Sequence, residues 1–103
     1  MGFSRDKKYF VEQLHNKNQF VIYTPDKIIF QSYRSTVAYT TISPETGITT
    51  GLYIDPYYVR YSKTTSKHLI IFIKEYACSL NLNINNTLDI IKAIAVGKIG
   101  TFE

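Results

Sequence analysis

The chain has 103 residues, enough to bury one core but too few for a binding domain beside a separate catalytic one. Hydrophobic residues make up 45% and charged residues 19%, with no repetitive or strongly polar stretch, so residues 1–103 read as a single ordered α+β domain. The net charge of +4 excludes a mimic of the DNA backbone, which would have to be acidic, and allows contact with phosphates or acidic protein surfaces.

The first segment, residues 4–16, places Phe3, Phe10, Val11 and Leu14 on one side at helical spacing and predicts an N-terminal helix, with Ser4 as its cap and Asn16 or Asn18 at its end. The period then changes. Residues 20–24, 27–33, 36–42 and 48–54 are short runs of Ile, Val, Tyr, Phe and Thr separated by brief turns, which predicts a four-stranded antiparallel meander. In the last strand, alternation sets Ile48, Thr50, Leu52 and Ile54 on one side and Thr49, Gly51 and Tyr53 on the other, so the sheet should have one covered face and one open face rich in Thr and Tyr.

Asp55 and Pro56 break the strand pattern, and Ser62 or Thr64 can cap the helix that follows. From about residue 65 to residue 80, Leu69, Phe72, Ile73, Tyr76, Ala77 and Leu80 form the strongest periodic stripe in the chain, so this helix should lie across the sheet. A polar connection over residues 81–86 leads to a last helix from residue 87 through residue 96, with Gly97 as its stop. That helix has Leu88, Ile91, Ala95 and Ile99 on one side and Ile90 and Ile94 on the opposite one. Either it nestles between the sheet and the preceding helix, or residues 87–99 make a homodimer contact.

The longest apolar run, residues 69–73, falls far below the roughly 18 residues of a membrane span, and no leader pattern opens the chain, so a cytoplasmic protein without membrane contact is expected. A single Cys78 with His15 and His68 offers no structural zinc set, and Cys78 reads as a small buried hydrophobe. The eight carboxylates show no paired spacing, and the five glycines form no phosphate loop or dinucleotide fingerprint. No cofactor is implied.

His68 follows Ser62, Thr64, Thr65 and Ser66, but hydroxyls at a helix start are better used as caps, and no nucleophile elbow accompanies them. No enzymatic activity is expected. The candidate site is instead a binding surface, with the open Thr/Tyr face of the sheet as a second candidate. Arg60, Lys63, Lys67 and Lys74 lie among Tyr57, Tyr58 and Tyr61, and Lys63, Lys67 and Lys74 share one side of the helix. Cations flanked by aromatic rings can hold phosphates while bases stack, and Tyr and Arg are equally favoured at protein interfaces.

Asp55-Pro56-Tyr57-Tyr58 followed by Tyr61-Ser62-Lys63-Thr64-Thr65-Ser66-Lys67-His68-Leu69 resembles a group of small proteins from phages and mobile elements of Gram-positive bacteria, which similarly pair a short β-meander with a Tyr-Ser-x-Thr-Thr-x-Lys-His-Leu helix start. The resemblance covers roughly residues 18–76 and transfers no catalytic residue. It implies a phage accessory setting, in which small single-domain proteins commonly bind and disable a host protein, anti-CRISPR fashion. The expectation is therefore a non-enzymatic binding module in the host cytoplasm, whose partner is a host protein or protein–nucleic-acid complex such as a defence nuclease. The alternative is a single-stranded nucleic-acid binder that uses the same tyrosines and lysines.

Overall fold

The computed structural model describes the backbone of residues 10–13, 18–59 and 61–102. The Val/Ile/Phe/Tyr/Thr runs form β1 (Phe10–Gln13), β2 (Gln19–Tyr23), β3 (Lys27–Ser32), β4 (Ser35–Ile42) and β5 (Thr49–Ile54), each antiparallel to the next. A two-residue β6 (Gly100–Thr101) then joins the far edge parallel to β5, so the sheet runs β1-β2-β3-β4-β5-β6. The α+β class is as expected, but the sheet is larger than a four-stranded meander and is mixed.

The N-terminal helix expected over residues 4–16 is replaced by strand where the chain is described, since Phe10–Gln13 pair with Tyr23–Phe20; residues 4–9 and 14–16 lie outside the described residues. Pairing satisfies the backbone groups that β2 would otherwise present along a bare edge. Val11, one of the apolar positions that suggested a helix, is 58% exposed.

Tyr33 and Arg34 close the β3–β4 hairpin, and Tyr33 takes a left-handed backbone with φ 58°, ending β3 at Ser32. The register between β4 and β5 shifts at Thr41/Ile42. Leu52 and Ile54 face the core opposite Gly51 and Tyr53 as expected, but the bulge overturns the side assignment of residues 48–50, because an extra residue reverses the side chains beyond it. Thr49 turns toward the helical side and donates to the Tyr76 carbonyl (2.8 Å), Thr50 is exposed and bonds the Thr41 hydroxyl (2.8 Å), and Ile48 is 55% exposed.

Both helices follow the meander. The Ser62 hydroxyl accepts from the Thr65 N–H (3.1 Å), which starts α1 (Lys63–Tyr76) two residues earlier than the apolar stripe suggested. It also ends earlier: Ala77 leads into a 3-10 turn, Cys78–Leu80, and Asn81 and Asn83 adopt left-handed backbone that Asn tolerates well. Cys78 is exposed on that turn and is not the buried hydrophobe expected. α1 lays Leu69, Phe72 and Ile73 on the covered face of the sheet, with the Phe72 ring stacked on Phe30 at 5.6 Å and the Thr65 hydroxyl bonded to Ser32.

At the start of α2 (Thr87–Ala95), the Asn86 side chain accepts from the Asp89 N–H and the Asp89 carboxylate accepts from the Asn85 N–H, while Gly97 takes φ 82° just past the end. Its Ile90 and Ala93 join the core and Ile94 is half-buried. Leu88, Ile91 and Ala95 face outward, so the helix does not bury both of its apolar sides within this chain. Ile99 is buried beyond the helix end, in the approach to β6, and does not belong to that outward side.

Candidate binding surface

The segment between β5 and α1 is shaped by local capping. The Asp55 carboxylate accepts from the Tyr57 N–H (3.1 Å), and Pro56 begins a single 3-10 turn, Pro56–Tyr58. Buried Val59 then pins the turn to the core, and its carbonyl accepts from the Ser66 hydroxyl (2.8 Å). The outcome is a short, tethered arch that sets Tyr57 and Tyr58 beside Tyr61.

The three rings touch one another: Tyr57–Tyr58 centroids are 4.9 Å apart, Tyr58–Tyr61 5.1 Å and Tyr57–Tyr61 5.5 Å. Their roles differ. Tyr58 is half-buried and donates to the Ser35 hydroxyl (2.8 Å), which ties the arch to β4, whereas Tyr57 and Tyr61 remain 68% and 54% exposed. Arg60 lies outside the described residues. Lys63, Lys67 and Lys74 are all exposed along one side of α1, but a rise of about 1.5 Å per residue carries Lys74 some 16 Å beyond Lys63, past half-buried Ile70 and exposed Ile71. The structure therefore brings Tyr57, Tyr58 and Tyr61 together, with Lys63 following two residues on at the start of α1, and leaves Lys74 at the other end of the helix.

The hydroxyls at this helix start have structural partners. Ser62 caps α1, Ser66 holds Val59, Thr65 meets Ser32, and the His68 Nδ1 donates to the Thr64 carbonyl one turn back (2.9 Å), with the ring buried. Among the described residues, no three His, Cys, Asp or Glu side chains gather as a metal set, and no helix is long and apolar enough to cross a membrane.

Two features next to the arch were not read from the sequence as parts of one site. A cleft of about 300 Å³ lined by Pro56, Tyr57, Val59, Ile91 and Ile94 joins the arch to the outward side of α2. A second cleft of about 260 Å³ is lined by Ser32, Tyr33, Ser35, Tyr58, Tyr61 and Ser62, every one of which carries a hydroxyl. The surplus of apolar positions on the last helix was the available signal for the first. Nothing in the spacing reported that Ile91 would meet Tyr57. No protein-family model, curated protein or solved structure matches this chain.

Proposed function

We propose that this chain is a non-enzymatic binding module, a phage or mobile-element accessory protein that binds a host protein or protein–nucleic-acid complex, such as a defence nuclease, and inhibits or modulates it. The observation that carries the binding reading is the apolar cleft between the arch and α2, lined by exposed Tyr57 and Ile91, with exposed Tyr61 packed on Tyr57 and exposed Leu88 one turn before Ile91. Large exposed aromatic residues beside an apolar depression are the usual anchors of a protein interface. Lys63 and Lys67, exposed on the helix that follows Tyr61, favour an acidic partner. The phage setting and the host target rest on the resemblance carried by residues 55–69.

The test is affinity capture from a Gram-positive host lysate, with and without nuclease, using the native chain and the Tyr57→Ala and Tyr61→Ala variants. The expected result is one host protein that is retained after nuclease and lost with both variants. Capture indifferent to Tyr57 and Tyr61 would refute the surface. A chain that sediments as a dimer, and as a monomer after Ile91→Asp, would assign the α2 side to a second copy.

A further inference from the structure

Opposite the helices, the register aligns one residue from each strand into a row across the whole sheet: Val11, Ile22, Ile29, Tyr39, Tyr53 and Gly100. Toward β6 this row becomes aromatic. Tyr39 and Tyr53 stack with centroids 5.1 Å apart and planes 21° from parallel, and Phe102, just past β6, packs on Tyr39 at 5.2 Å. The arrangement is built into the backbone. A Cβ on Gly100 would stand 2.4 Å from the Tyr53 ring and one on Gly51 3.2 Å from it, so two glycines clear the space that the ring occupies.

A cation completes the group. The Lys27 Nζ sits 5.1 Å from the centre of the Tyr39 ring, and the hydroxyls of Thr41 and Thr50 lie beside Gly51 on the same face. The row itself carries no carboxylate. Asp26, next to Lys27 in sequence, is in the exposed turn before β3 and accepts from the Thr24 hydroxyl, and Asp55, two residues past Tyr53, accepts from the Tyr57 N–H. A near-parallel pair of rings with an adjacent amine matches the alternation of base and phosphate in a single strand. The arch has no such near-parallel pair, since Tyr57, Tyr58 and Tyr61 meet at 43°, 62° and 87°, and the lysines beyond them diverge along α1; on the sheet face Phe102 is tilted by 43° beside the parallel Tyr39–Tyr53 pair.

We propose that the open face of the sheet is a stacking platform for single-stranded nucleic acid, in which Tyr39, Tyr53 and Phe102 receive bases and Lys27 meets a phosphate. This places the nucleic-acid contact on different residues from the protein contact at Tyr57 and Tyr61, so either can fail alone.

The experiment is anisotropy titration of fluorescein-labelled oligothymidylate and oligouridylate of about twelve nucleotides, within the range one such face accommodates. Saturable binding that weakens as salt is raised is expected. Tyr39→Leu and Phe102→Leu should each weaken it about tenfold, and Lys27→Gln should lower the salt slope by about one. Phe102 lies past the last strand and outside the core cluster, so its variant remains informative if Tyr39→Leu alters folding. Absence of saturable binding at low salt would overturn the proposal. So would binding that survives Tyr39→Leu and Phe102→Leu but is lost on charge reversal of Lys63, Lys67 and Lys74, or a sheet face whose Tyr39→Leu variant loses only a captured protein.

Discussion

On the covered face of the sheet, Val21, Phe30, Ala38 and Ile54 form a cross-strand row with no exposed surface, and Phe72 of α1 is laid against Phe30. One residue along each of the same strands, Ile22, Ile29, Tyr39 and Tyr53 form a second row that is also apolar or aromatic, yet each stays half-buried. Apolar content does not separate the two rows. What separates them is the pair of helices, which close one face and leave the other to side chains of the sheet and its terminal strand. A half-covered row of rings is the kind of surface on which a partner can still gain contact area.

The sharpest break between the faces should come from Phe72→Ala. Removing the ring that caps the covered row should cost about 3–5 kcal/mol in chemical denaturation, whereas Tyr39→Leu on the open row should cost under about 1.5 kcal/mol. Similar losses would mean that the open row is core in all but name. Next in size, Gly100→Ala should cost about 1–3 kcal/mol, because the Tyr53 ring must leave its place above β6; a neutral result would show that the ring stack is loosely held. Ser62→Ala should cost about 1 kcal/mol by uncapping α1, with little change in either surface beyond fraying at Lys63. The smallest effect is a gain. Tyr33→Gly should stabilise the β3–β4 hairpin by about 0.5 kcal/mol, since the left-handed backbone suits glycine at the first position of a two-residue turn.

Period and capping made much of this fold legible. The β2–β5 runs, the Leu69/Phe72/Ile73 stripe and the Ser62 cap follow from side-chain spacing and local hydrogen bonding. The errors lie where non-local pairing decides. Phe10–Gln13 became a strand because β2 had a free edge, and β6 formed from two residues too few to carry any period. The β4–β5 bulge exchanged the sides of Thr49 and Thr50, which alternation cannot foresee. Of the expected site, Tyr57, Tyr61, Lys63 and Lys67 are exposed as the sequence suggested, Tyr58 serves partly as an anchor to Ser35, and Lys74 is remote. The contribution of Ile91 required knowing which side of α2 faces inward. The Tyr39–Tyr53–Phe102 group required the full register, since its members are 14 and 49 residues apart in the chain.

The most direct test of a binding module centred on the arch and α2 is hydrogen–deuterium exchange of the chain alone and in the complex recovered from host lysate. Slowed exchange over residues 56–66 and 88–95, with the Phe30 and Phe72 region unchanged, is the predicted result. Protection that bypasses both segments, or none on adding the partner, would contradict the account.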